Sequence, residues 1–331
     1  MSEHGLDRSP SPSEDSTSYS MSDISWTVRL MELPPELQAE VFLHLPNCMA
    51  AVALRLCCRQ LNEVLLQNEK RILSSLRELL VAPFREFYDF LQRLKLPANS
   101  VKLPPPSGWP NMTPVACAGL DKTPFAIDVL RHLPYIDELH VKSNETNIDY
   151  KCNAVDYSKF TSDNFSTYRE EEFWALEWQG VDEEERISGI KHVVMIAEGY
   201  ESGGIVLLLD TFTGTIFEEI VRTDSGVRLP PDEYFRSRME RLRKLDQIFV
   251  AGFDPWKEDG NISSDDFEAA YDADHMESQG EPVWAEGDFD QDEMFLWVRH
   301  LHRKFGWPGP DWKKGECMEA VEDFVQRLPI W

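Results

Sequence analysis

The residues of this 331-residue chain that bear on chemistry are scattered, and their spacing argues against a catalytic centre built from one motif. A hydrolase nucleophile calls for Gly-x-Ser-x-Gly at a strand-to-helix turn. The nearest stretch, Glu201-Ser202-Gly203-Gly204, falls between two expected strands and suits a hairpin instead. No Gly-rich loop of the Gly-x-x-x-x-Gly-Lys-Ser/Thr or Gly-x-Gly-x-x-Gly type is present to cradle a phosphate. Asp288, Asp290 and Asp292 alternate as in the opening of a calcium loop. Glu293, however, stands where the sharp turn needs glycine, and no acid occupies the twelfth place. His300 and His302 are two apart on an expected helix and project from different faces, which makes them poor co-ligands and suits a surface or helix-end role. The cysteines at 48, 57, 58, 117, 152 and 317 form no Cys-x-x-Cys pair and no zinc-type spacing. They read as reduced, mostly buried small hydrophobes. The expectation is therefore a protein without catalytic residues, metal or cofactor.

The elements that position these residues follow from periodicity. Residues 1–25 are serine-dominated with almost nothing to bury, the composition of a disordered tail. Leu33-Pro34-Pro35-Glu36 opens a helix expected to run to Leu45, because proline suits the first turn and an acid suits the positive helix start. Leu37, Val41 and Leu45 recur every four residues along it, while Phe42 and Leu43 lie off that stripe. The helix is thus apolar on more than one side. Asn47 can cap the next helix, expected to carry Met49, Val52 and Leu56 and then Leu61, Val64 and Leu65. A longer helical region follows from Glu69 to Leu94, with a break expected at Pro83. Leu96–Pro114 is proline-dense and reads as a semi-rigid connector. A short helix over Pro124–Leu133 leads into the second half.

There, Phe173–Trp178, Lys191–Ala197, Gly204–Asp210 and Gly214–Val221 read as strands. Short turns at Gly203-Gly204 and Thr213-Gly214 make their pairing antiparallel, since parallel pairing needs a long crossover. Pro230-Pro231-Asp232 announces a helix with Phe235, Met239, Leu242 and Leu245 on one face. Further helices are expected over Met294–Phe305 and Lys314–Arg327, the last carrying Cys317, Val321, Phe324 and Val325. The fold class is α+β: an N-terminal helical bundle, then an antiparallel sheet flanked by helices. The expected division is a tail over 1–25, a helical unit over 26–70, a helical and Pro-rich connector over 71–115, and an α+β recognition domain over 116–331.

The net charge of −26 repels phosphate backbones and anionic lipid, which argues against nucleic-acid and membrane-surface partners. Over half of it, −14, lies in the segment 254–293, read as a solvated acidic loop. No apolar stretch is long enough to span a bilayer, and the first residues lack a signal-peptide pattern. These features place the chain in cytoplasm or nucleus.

The run LPPELQAEVFLHLPNCMAAVALRLCCRQLNEVL, with its Leu-Pro start, Glu36-Leu37, Val41, Leu45 and the Cys58-Arg59 pair, resembles an F-box. The resemblance covers about a tenth of the chain. It implies that the N-terminal helices bind the Skp-type adaptor of a cullin ubiquitin ligase, through Leu33, Pro34, Leu37, Val41 and Leu45, while the rest of the chain holds a protein substrate. Lys191–Val221, with the aliphatic run Val193–Ile196, the turn Glu198–Gly204, Leu209-Asp210 and Gly214, is similar to the central strands of the Smi/Knr-type SUKH superfamily. That likeness implies an α+β fold used in protein recognition. Together with Gly306-Trp307-Pro308-Gly309, the combination resembles F-box proteins of filamentous fungi. Without the F-box function, the chain reads as a regulatory binding protein of SUKH type, and a third reading is an enzyme whose dispersed active site spacing does not reveal.

Overall fold

The computed structural model describes residues 30–137, 146–168, 189–221, 226–250, 256–257, 272–283 and 291–328. The expected N-terminal tail, the expected strand Phe173–Trp178 and Asp288–Asp290 lie outside them. The described chain is mixed: an N-terminal helical region stands beside an antiparallel sheet with helices on it.

The described chain opens on helical residues 30–32, and three helices follow. Helix α1 (Pro35–Leu43) has Pro34 as its N-cap and Glu36 in its first turn, and it ends two residues before the expected Leu45. Helix α2 (Cys48–Leu56) is capped by Asn47, whose Oδ1 accepts from the Ala50 N–H at 2.8 Å. Helix α3 runs unbroken over Arg59–Leu94, 36 residues, with Pro83 inside it; it begins ten residues before the expected Glu69 and takes in Leu61, Val64 and Leu65, which were expected on the second helix. The break expected at Pro83 is absent, and the boundary expected at 70/71 falls within a continuous helix. An interior proline costs about 3 kcal/mol through its missing N–H and its ring clash. Around it Leu80, Val81, Phe84 and Phe87 are all buried. Each contributes on the order of 1.5–3 kcal/mol if it is a large apolar group fully removed from water. Packing on both sides of the proline outweighs its local penalty.

Helix α3 also solves a size problem. Helices α1 and α2 are too small to close a core alone. They share one with the first half of α3, made of Ala39, Phe42, Ala51, Leu61, Val64, Leu65, Ile72 and Leu76. From Leu80 to Leu94 the same helix enters a second, larger core with the sheet and the remaining helices. Phe125, at the start of helix α4 (Pro124–His132), touches both cores.

The Pro-rich stretch is no detached connector. Leu96 and Met112 are buried in the main core, and Trp109 packs against it with its Nε1–H donating to the Leu133 carbonyl at 2.9 Å. The short ribbon β1 (Val101–Lys102) and β2 (Tyr135–Ile136) ties this stretch down. Proline content alone does not distinguish a spacer from an irregular segment whose few large apolar residues are pinned.

The main sheet has six antiparallel strands in sequence order: β3 (Asn147–Asp149), β4 (Cys152–Ala154), β5 (Val193–Gly199), β6 (Ile205–Asp210), β7 (Thr215–Ile220) and β8 (Gly226–Leu229). The expected hairpins between β5, β6 and β7 are present. Gly203 and Gly214 hold φ of 81° and 72° in the two turns, conformations that side chains disfavour. Strands β5 and β6 read as continuous apolar runs and are buried almost throughout, as befits the sheet centre. Strand β7 alternates, pairing Leu208 with Phe217 and Leu209 with Ile216. Strands β3, β4 and β8 carry too few apolar residues to be recognised from sequence. Helix α5 (Pro231–Lys244) buries Tyr234, Phe235, Met239 and Leu242. Phe235 stacks on Phe87 of α3 at 4.6 Å and meets Phe84 edge-on at 4.8 Å. A ribbon of β9 (Gln247–Ile248) and β10 (Trp256–Lys257) follows. Helices α6 (Ala273–Gln279), α7 (Gln291–Lys304) and α8 (Lys314–Gln326) complete the described fold, so part of the acidic segment is helical. No described helix is long and apolar enough to cross a membrane.

Candidate interaction surface

Helix α1 is held on α3 by Gln38, Ala39 and Phe42, all buried. Gln38 is a polar anchor at the helix entry. Its Nε2 donates to the carbonyls of Leu33 at 3.0 Å and Leu30 at 3.1 Å, and its Oε1 accepts from Gln60 Nε2 at 3.2 Å. These contacts fix which side of α1 turns inward. Pro34, Leu37 and Val41, spaced by three and four residues, therefore share the outer side. Pro34 is exposed, Leu37 is 49% exposed and Val41 is half-buried.

The five residues expected to form one adaptor contact are divided by the structure. Pro34, Leu37 and Val41 are brought together on the outer side of α1. Leu33 is half-buried in the turn that Gln38 closes. Leu45 lies beyond the helix end and packs partly against the small helical core. The stripe of every fourth residue thus overruns the real helix by one member. Among the described residues, four of nine exposed large hydrophobics (Leu37, Met49, Leu56 and Leu66) lie between residues 33 and 66, a concentration that marks this region apart from the rest of the surface.

The helical unit meets the sheet by another route. The Met49 N–H donates to the Phe212 carbonyl in the β6–β7 turn at 2.9 Å. A Cβ on Gly214 would stand 2.9 Å from Asn47 Cβ, so this approach requires glycine. Between α2, α3, α4 and this turn runs an apolar groove of about 320 Å³, lined in part by Ala51, Leu76, Phe125 and Phe212. The outer side of α1 takes no part in it.

The sheet domain holds a buried ionic network that sequence reading did not identify. Arg238 of α5 pairs with Asp149 of β3 at 2.9 Å and with Glu218 of β7. Tyr234 Oη donates to Glu218 Oε2 at 2.8 Å, and Gln247 Nε2 of β9 donates to Asp149 Oδ1 at 2.8 Å. Both carboxylates are almost wholly buried. Burial would lower the Arg238 pKa, but Asp149, Tyr234 and Glu218 drive it further above its ordinary value. The network pins α5 to strands β3 and β7, and β9 to β3. One signal was available: in the alternation of β7, Glu218 takes the inward place between Ile216 and Ile220. Its partners come from three other elements, which spacing cannot connect.

The two histidines correct the sequence expectation, since both are buried. His300 contacts Glu277 at 3.3 Å, and His302 stacks on Trp312 at 5.6 Å with Nδ1 on the Val298 carbonyl at 2.9 Å. Burial pushes the His302 pKa down to about 4, so the ring is neutral. The cysteines are free; Cys117, Cys152 and Cys317 are buried, and Cys57 is exposed. Burial raises the Cys317 thiol to about 12, and burial with Asp210 does the same to Cys48. Neither is a thiolate at neutral pH. Among the described residues no group of three or more His, Cys, Asp or Glu is placed to hold a metal ion.

No protein-family model matches the sequence, and neither curated proteins nor solved structures give a significant match.

Proposed function

We propose that this chain is an F-box-type substrate receptor: its N-terminal helices bind the Skp-type adaptor of a cullin ubiquitin ligase, and its sheet domain holds a protein substrate. One observation carries this reading. Helix α1 is fixed by its inner side and presents Pro34, Leu37 and Val41 outward, away from the contact with the sheet. A half-exposed leucine beside a proline and a valine on a docked helix suits a partner that completes its burial. Six free cysteines agree with a reducing compartment, cytoplasm or nucleus. In this reading the chain performs no catalytic step. The resemblance of β5–β7 to SUKH strands supports a recognition role for the sheet domain.

A second reading is a SUKH-type regulatory binding protein without a ligase link. Leu45 in the helical core and the Met49–Phe212 hydrogen bond favour it, since they tie the helices into the chain's own fold. Co-purification with the Skp-type adaptor separates the two. Retention of wild type and loss by the Leu37→Asp, Val41→Asp double variant supports the receptor. Failure of the wild type to bind sinks it.

A further inference from the structure

A different surface bears on what the sheet domain recognises. The C-terminal end of α3, the last turn of α5, the 305–313 loop and the start of α8 enclose a cavity of about 510 Å³. Phe90, Trp307 and Trp312 form an aromatic wall, with rings 5.6 Å and 5.4 Å apart in succession. Three cations reach the cavity, and no Asp or Glu lines it.

Each cation has a local role, so the balance must be counted. Lys314 Nζ donates to the Gln92 carbonyl at 2.7 Å and to that of Leu96, while Trp312 Nε1 donates to the Arg93 carbonyl at 3.2 Å. These contacts cap the end of α3. Arg243 lies over the Phe90 ring, 5.0 Å from its centroid, with a guanidinium nitrogen 3.9 Å from the Met239 sulfur. Arg93 faces Asp89 at 3.4 Å, an exposed pair that solvent weakens. Two helix C-termini contribute about half a negative charge each. With Asp89 counted in full, the three cations still leave the cavity positive, in a chain with 59 acidic and 33 basic residues. Burial without a carboxylate partner lowers the Lys314 pKa, the mark of an ammonium short of negative charge.

We infer that this cavity binds an anionic side chain of a peptide, carboxylate or phosphate. Arg243 and Arg93 engage the charge at the rim, and the tryptophan wall receives the neighbouring apolar part. The inference deepens the substrate-receptor reading and rests on it for biological meaning, but binding itself does not need the adaptor.

The test is a set of randomised short-peptide pools whose fixed central residue is phosphoserine, glutamate, glutamine or lysine, probed with the full chain. Retention on the phosphoserine or glutamate pool above the glutamine pool is the expected result, and which of the two dominates identifies the source of the anion. The Arg93→Glu, Arg243→Glu double variant is expected to bind the best peptide about tenfold more weakly or worse, with the difference shrinking as salt rises. Both sites are exposed, so the variant keeps its fold, and its adaptor co-purification stays that of wild type. Equal retention on glutamine, preference for lysine, no retention on any pool, or a double variant that binds like wild type would each overturn the inference. Peptide binding that persists without adaptor binding leaves the cavity assignment standing while the ligase reading falls.

Discussion

Replacing Leu37 with aspartate separates a partner-facing residue from a structural one. Leu37 is 49% exposed in the free chain, so its solvated half gives up nothing when replaced, and the loss of stability is expected below about 1 kcal/mol. Docking is different. Burying the remaining half of a leucine is worth about 1 kcal/mol, and a carboxylate forced into the same contact adds several kcal/mol of desolvation. Together these exceed about 3 kcal/mol, more than a hundredfold in affinity. Phe42→Ala is the control, because Phe42 is fully buried and its truncation costs about 3–5 kcal/mol of stability. Titration calorimetry with the Skp-type adaptor and thermal melting of the same variants give both quantities. The expected pattern is Leu37→Asp with a melting temperature lowered by at most a few degrees and lost adaptor binding, and Phe42→Ala with a much larger drop in melting temperature. If Leu37→Asp binds like wild type, or melts as early as Phe42→Ala, the assignment of the outer side of α1 is wrong.

Three further outcomes follow from the geometry. Arg238→Met leaves Asp149 and Glu218 buried without their cation, and urea denaturation is expected to show a loss of about 3–5 kcal/mol, whereas Arg236→Met, which breaks only the exposed pair with Asp232, is expected to cost under about 1 kcal/mol. His302 is buried and neutral, with a folded pKa near 4 against an ordinary value of 6.5, so the unfolded chain binds its proton first; the resulting stability is complete above 6.5 and is lost as pH falls toward 4. His302→Phe should flatten that part of the stability–pH curve measured by denaturant titration. A thiol reagent at neutral pH should modify exposed Cys57 in the native chain while Cys117, Cys152 and Cys317 react only on unfolding, as mass spectrometry of the labelled peptides will show.

The strands β5, β6 and β7, the cap at Asn47, the helices from Pro124, Pro231 and Lys314, and the body of α7, which begins at Gln291 rather than the expected Met294, were legible in the amino-acid sequence, because apolar periodicity, proline at helix starts and glycine at turns act over a few residues. The inner face of α5 was legible for the same reason. Tertiary structure decided the rest. On α1, sequence offered two apolar sides, and only docking through Gln38, Ala39 and Phe42 left Leu37 outward. At Pro83 a local rule for a helix break lost to buried side chains on both flanks. The proline-dense stretch after Leu96 is pinned through Trp109 and Met112, whose partners lie elsewhere in the chain. Asp149, Glu218, Arg238 and Gln247 form one network, and Arg93, Arg243 and Lys314 surround one cavity, across separations that no spacing rule spans. Periodicity records which side of an element avoids water; which charges meet is settled only when distant elements pack.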